Sequence, residues 1–424
     1  MPASSVTRGT AAALLLLLAG CEAARSTAAT PEVPLWVHHP GGALSVQARR
    51  TLTSASREVG EPYERGRPEI DAEHRRVFVG SSDRGLYALR AETAETLWRF
   101  ETLGAVQCEP LYEPNDDAVY FGSNDGALYK VQASDGRLLW RFMTNAEVAR
   151  KPLVHNGVVY VVNANDTLIA IDAATGKMRW NQHRTPAFGM EIAGYAGPMI
   201  ANGKVYTAFS DGVVLAYSLE DGSEQWPSID LAAEAEQSSG GEAPRYLDVD
   251  TTPIAARIAS GPVVFVASYA GGVFALDAED GSRAWVNEKA RGVTDLTLWT
   301  QPAHRPRSGE GPVVAAKTIL FASSGLTGLW AIDPEDGTML WRKSIPEGGI
   351  SAPVPLAGAM LVSTTRYGVF LMSPLDGGVI DAIETGGGYA MTPAAYERRA
   401  FVMSNQGTFL ALSVDAPTVG PGGF

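Results

Sequence analysis

The chain is poor in the residues that usually carry redox or metal chemistry, with two cysteines and six histidines in 424 residues. Cys21 and Cys108 are the only thiols, so no structural disulfide remains once Cys21 is modified. The histidines, His38, His39, His74, His155, His183 and His304, are scattered. Only the first two are adjacent, and neighbours on an extended segment point to opposite sides, which does not make a metal site. No H-E-x-x-H, G-x-S-x-G, phosphate-binding loop or C-x-x-C-H occurs, which excludes the hydrolases, nucleotide-binding enzymes and c-type haem proteins that those motifs serve. The apolar residues 11–19 are too short to span a bilayer, and no other apolar run is long enough. A net charge of −13 argues against nucleic acid or anionic lipid surfaces as partners.

What the chain has instead is a repeat of roughly 40 residues, the period of solenoids and propellers. Each unit opens on a proline: Pro68, Pro110, Pro152, Pro198, Pro253, Pro312, Pro353 and Pro393. Six units close on a tryptophan: Trp98, Trp140, Trp180, Trp226, Trp285 and Trp341. In the second unit, Pro110-Leu111-Tyr112 leads to the run Val119-Tyr120-Phe121-Gly122-Ser123. Leu128-Tyr129-Lys130-Val131 follows, then Asp135-Gly136, then Arg137-Leu138-Leu139-Trp140. This spacing predicts four short strands, A to D, joined by tight turns whose glycines supply positive φ. Continuous apolar runs such as residues 158–162 predict strands buried on both faces, as when one sheet lies between two others. The fold class is therefore all-β: an eight-bladed β-propeller of four-stranded antiparallel blades. The last unit supplies only three strands, so the ring is closed by an N-terminal strand, placed at residues 33–37 around Trp36.

The N-terminus carries an address. Arg8 and the apolar residues 11–19 form a signal peptide ending in Leu18-Ala19-Gly20-Cys21, which resembles the bacterial lipobox. Cys21 is then the acylated residue, and several acyl chains make such an anchor stable. The expected organisation is signal peptide 1–20, flexible tether 21–32, propeller 33–414 and tail 415–424.

Other patterns resolve to structure. Asp135, Asp221, Asp280, Asp336 and Asp376 precede glycine in the same turn, so turn chemistry accounts for them better than a carboxylate array. Cys108 reads as a buried inert thiol. The tryptophans, fixed at the end of each repeat, read as packing between blades rather than as cofactor stackers. Function points to the irregular intervals. Most closing tryptophans lie 12 residues before the next proline, as from Trp98 to Pro110. The interval is 18 from Trp180 to Pro198, and 27 from both Trp226 to Pro253 and Trp285 to Pro312. Three long D–A connections from consecutive blades predict a binding surface on one face. Trp299, within the last of them, lies outside the repeat pattern and is either an interface anchor or a residue tucked against the propeller rim.

The Val-Tyr-x-Gly-Ser and Ala-Leu-Asp-Ala-x-Thr-Gly elements with a closing tryptophan resemble the repeat of quinoprotein dehydrogenases and their non-enzymatic relatives. Within that superfamily the lipobox, tether, Trp36 and eight repeats are most similar to the outer-membrane assembly lipoprotein family BamB. Leu247-Asp248-Val249-Asp250-Thr251-Thr252-Pro253 is its most specific local match. The resemblance implies a non-enzymatic, cofactor-free scaffold on the outer membrane, facing the periplasm and binding the POTRA region of BamA. It assigns Asp248 and Asp250 to that contact, with Met190 and Ile192 as the apolar part. Ala193 stands where the family has arginine. Exposed strand edges offer unfolded outer-membrane proteins a route by β-augmentation, which no residue pattern here carries. Two alternatives stay open: a PQQ-dependent dehydrogenase, although the chain has no adjacent cysteine pair, and an envelope propeller serving another complex.

Overall fold

The computed structural model describes residues 42–52, 64–187, 196–238, 246, 248–305, 313–345, 347–384 and 388–415. Within them the strands form eight four-stranded antiparallel sheets. Seven run in simple chain order, such as Leu111–Glu113, Ala118–Gly122, Ala127–Gln132 and Leu138–Met143 in blade 2. The A strands of neighbouring blades approach one another, so they line the axis. The B and C strands are buried on both faces: Arg76–Gly80, Ala118–Gly122 and Val158–Asn163 are buried along their whole length. The eight apolar clusters lie between sheets and no single central core exists, as expected of stacked repeats.

Each closing tryptophan packs on an aromatic of its own B strand. Trp98 lies 5.8 Å from Phe78, Trp180 5.9 Å from Tyr160 and Trp226 5.1 Å from Tyr206. Such pairs contribute about 0.5–1.5 kcal/mol each beyond burial. Its indole N–H then crosses to the next blade. Trp98 donates to the Ala133 carbonyl at 3.0 Å, Trp140 to Ala173 at 3.0 Å and Trp341 to Pro374 at 3.1 Å. Beneath the ring sits the turn glycine of that next blade. A Cβ on Gly136, whose φ is +74°, would stand 2.7 Å from Cε3 of Trp98. The same relation joins Trp140 to Gly176 and Trp285 to Gly337. The glycine is needed both for the turn and for the indole's approach, so the packing role holds and leaves these faces closed to a flat ligand.

The neighbouring aspartates cap their turns as expected. Asp135 accepts the Arg137 N–H at 2.9 Å, Asp280 that of Ser282 at 2.8 Å and Asp376 that of Gly378 at 3.0 Å.

Closure by an N-terminal strand holds, but the strand is Leu44–Thr51, paired antiparallel with Thr408–Val414. Residues 33–37, with Trp36, lie outside the described residues, as do Cys21, His38 and His39. Ala48 pairs with Ala411 at the position where other blades carry tryptophan. The seam is latched by hydrogen bonds: the Leu44 N–H donates to buried Asp381 of blade 7 at 2.7 Å, and the Asp415 N–H to the Ala43 carbonyl at 2.9 Å.

Blade 6 departs from the predicted register. Its A strand is Val293–Gln301, which pairs along its length with Lys317–Ser324 and has no opening proline. Trp299 is therefore a strand residue, 5 % exposed and packed in an apolar cluster with Ile319 and Phe321. Its expected role as an exposed loop anchor is ruled out. Pro312 lies outside the described residues, within an excursion between strands A and B. The long Trp285–Pro312 interval thus contains a short D–A connection, residues 288–292, followed by an A strand.

Candidate functional site

Antiparallel alternation puts all D–A connections and B–C turns on one face, called here the upper face. The A–B and C–D turns and both ends of the described chain lie on the lower one. Three long connections lie on the upper face: 52–68 between blades 8 and 1, 184–198 between blades 3 and 4, and 231–253 between blades 4 and 5. The last two are on consecutive blades, whereas the blade 6 connection between Gln301 and Lys317 joins its strands at the lower face. Of the three predicted long D–A connections, two hold and lie side by side. The 231–253 connection carries a helix, Leu231–Ser238, tied to blade 5 by a 2.6 Å ion pair between Glu234 and Arg283.

The Asp-Val-Asp-Thr-Thr run fastens these two adjacent connections. Val249 points into the core between blades 4 and 5. The Thr251 hydroxyl accepts the Ala267 N–H at 2.9 Å, and Thr252 accepts the Gly197 N–H at 2.9 Å. The second bond joins one long connection to the other. The Asp248 carbonyl accepts from the Tyr269 N–H at 3.1 Å, and the Asp250 carbonyl from Arg150 Nη2 at 2.7 Å. Both aspartate side chains are buried, and Oδ1 of each has no hydrogen-bond donor among the described residues. Burial, then the neighbouring Asp248 carboxyl, pushes Asp250 up to about 8, against the field of Arg150. Met190 and Ile192 lie outside the described residues.

Arg150 leads into a charged cluster at the upper end of the channel. Its Nη1 lies 3.7 Å from Asp295 of blade 6, which also meets Arg67 of blade 1 at 3.4 Å. Arg67 reaches Glu109 at 3.6 Å, and Lys151 bridges Glu109 at 3.2 Å and Glu69 at 2.7 Å. Burial opposes charge on these groups, yet the paired cations hold the Glu109 carboxyl below its ordinary range, and Asp295 and Glu109 hold Arg67 above its own. Glu69 is raised, because burial outweighs Lys151 there. Cys108 is buried beside this cluster, its thiol donating to the Glu109 carbonyl at 3.0 Å and the Arg150 carbonyl at 3.2 Å. Burial pushes it up to about 12, as the inert reading requires.

Sequence reasoning missed this cluster. The available signal is a charge flanking the opening proline in the first three repeats: Arg67 and Glu69 around Pro68, Glu109 before Pro110, and Lys151 before Pro152. A cavity of about 410 Å³ lies beside it, lined by Arg67, Glu69, Glu109, Val354 and Tyr396. An anionic quinone needs cations free to meet it, and Arg67, Arg150 and Lys151 are each engaged by carboxylates of this chain. These residues do not fit such a cofactor.

The blades, the turn glycines under indoles and the closing strand define a propeller of PQQ-type repeats. Its repeats match the profile of the family described as outer membrane protein assembly factor BamB over residues 110–297 and 292–416, and the chain belongs to that family. The BamB of Legionella pneumophila (strain Paris) is 24 % identical over 234 residues, 55 % of this chain and 53 % of the relative. The chain thus spans about half the length of that curated relative. The crystal structure of BamB from Moraxella catarrhalis superposes with a TM-score of 0.65 at 17 % identity, covering 87 % of this chain and 99 % of that one. That likeness concerns the fold. The dehydrogenase subunit of a quinone alcohol dehydrogenase from Gluconacetobacter polyoxogenes is 32 % identical over 197 residues, 44 % of this chain and 24 % of that one.

Proposed function

We propose that the chain is a non-enzymatic scaffold lipoprotein of outer-membrane β-barrel assembly, anchored through Cys21 with its propeller in the periplasm. Its upper face holds the periplasmic POTRA region of a BamA-like insertase and so assists insertion of outer-membrane proteins. The observation that carries this reading is the pair of long connections on consecutive blades, joined by the Gly197–Thr252 bond. Insertions side by side on one face of a repeat fold suit a partner surface. Met190 and Ile192 supply apolar contact from the first connection. Buried Asp248 and Asp250 support the second. Family membership supports the assembly role.

The test is capture of the intact lipoprotein from solubilised membranes. A BamA-like barrel is expected with the wild-type chain and at reduced yield with a Met190→Ala, Ile192→Ala double variant. Repeated capture without any such barrel overturns the assignment. The quinone dehydrogenase similarity favours one other reading. Tight binding of PQQ with calcium, together with alcohol-dependent dye reduction, would establish it in place of the scaffold.

A further inference from the structure

Arg150 belongs to the connection between blades 2 and 3, residues 144–152, yet its side chain meets both of the adjacent long connections. Its Nη2 donates to the Asp250 carbonyl, in 231–253, at 2.7 Å. Nearer its backbone it faces Gly197, in 184–198. A Cβ on Gly197 would stand 3.4 Å from Cβ of Arg150 and 2.9 Å from the Thr252 hydroxyl. The bare glycine therefore lies between Arg150 and Thr252, and its N–H donates to that hydroxyl at 2.9 Å. One side chain thus touches the end of each connection where they meet.

Residues 248–253 belong to no strand, so no ladder holds them. Single bonds do so: the Tyr269 N–H to the Asp248 carbonyl, the Ala267 N–H to Thr251, the Gly197 N–H to Thr252 and Arg150 to the Asp250 carbonyl. The bond from Arg150 is charge-assisted, which makes it of the stronger kind. Its direction is set from across the channel. Nη1 lies 3.7 Å from Asp295 of blade 6, and Asp295 also meets Arg67, at the end of the 52–68 connection, at 3.4 Å. The backbone of Arg150 is held as well, since the Cys108 thiol donates to its carbonyl at 3.2 Å. A guanidinium presents its N–H groups in a rigid planar fork and can serve two acceptors in fixed directions. An ammonium is a point charge on a flexible stem.

We infer that Arg150 is a positioning residue that fixes the 184–198 and 231–253 connections relative to each other, with Asp295 aiming its guanidinium. It acts through the connections and does not touch the partner. The fixing is a property of the chain alone; only its consequence for docking rests on the proposed function.

The experiment measures amide exchange in the wild-type chain, Arg150→Lys and Arg150→Gln, with no partner present. Lysine keeps the charge and loses the fork, whereas glutamine loses both. The reporters are the amides of Gly197, Ala267 and Tyr269, whose acceptors lie in residues 248–252. In both variants they are expected to exchange about 10- to 100-fold faster. Residues 118–122 and 158–163, buried strands of blades 2 and 3, should keep their wild-type rates. Unchanged reporters overturn the inference. So does equal acceleration of reporters and buried strands, which is general loss of stability and not positioning. Should Arg150→Gln fail to fold, Arg150→Lys, which keeps a cation beside Asp295, decides the matter. Capture from solubilised membranes then tests docking. A wild type that brings down a BamA-like barrel, beside an Arg150→Lys chain that brings down less, supports the docking consequence. Equal capture by the two, with the reporters accelerated, rejects it. A wild type that captures no barrel overturns the proposed function, while the exchange rates still decide the role of Arg150.

Discussion

Arg67, on the approach to the first blade, meets Asp295 of the sixth across the channel at 3.4 Å. Blades five apart in the chain are thus joined at the axis, where packing between neighbouring sheets does not reach. Asp295 also meets Arg150, so one carboxylate serves two partly buried guanidinium groups. Asp295→Ala leaves both without it, a change of the kind that costs about 3 kcal/mol when a buried partner is lost. A lower urea midpoint with an unchanged slope is the expected result. Asp295→Asn should recover only part of the loss, because the amide lacks the charge.

The indole-over-glycine junction makes a sharper demand. At Gly337, φ is +76° and a Cβ would lie 2.5 Å from Cε3 of Trp285. Gly337→Ala combines backbone strain with overpacking and should cost roughly 2–4 kcal/mol. Gly203 also has positive φ, at +73°, but nothing lies within 4 Å of its Cβ position. Gly203→Ala should therefore cost only about 1 kcal/mol. Equal losses in thermal unfolding of the two variants would show that the indole is not the constraint.

At the seam, buried Asp381 receives the first N–H of the closing strand, from Leu44, as well as the N–H of Ala382. Asp381→Ala strands both donors, at a cost of about 1–3 kcal/mol for each buried group left unpaired. Local opening should come before global unfolding. Hydrogen exchange at residues 44–51 and 408–414 is expected to accelerate while blades 2 and 3 keep their protection.

Cys108 offers a pH test of burial. With its thiol pushed up to about 12 and no solvent exposure, almost no thiolate forms below pH 9 in the folded chain. In a Cys21→Ser background, a thiol reagent should label Cys108 only after denaturant is added. Rapid labelling of the native protein at pH 8 would contradict the buried placement.

The sequence read most of the architecture because propeller strands announce themselves locally. Val158 to Val162, the Asp-Gly turns and the closing tryptophans each report on their own few residues, and the structure assembles them as expected. The two register errors arose where local signals and pairing diverge. Pro312 looks like a repeat opener, yet Val293–Gln301 wins as strand A through a full ladder with Lys317–Ser324. Trp36 looks like a closing tryptophan, yet the strand paired with Thr408–Val414 is Leu44–Thr51, mostly exposed and without an aromatic.

By itself, then, the sequence determined the all-β propeller, its blade number, the packing role of the tryptophans and the absence of several catalytic motifs. All of these follow from short-range periodicity and turn chemistry. Only the tertiary structure decided which insertions share a face, that Trp299, Asp248 and Asp250 are buried, and that Arg67 meets Asp295. These are relations between residues distant in the chain, set by strand pairing and ring closure.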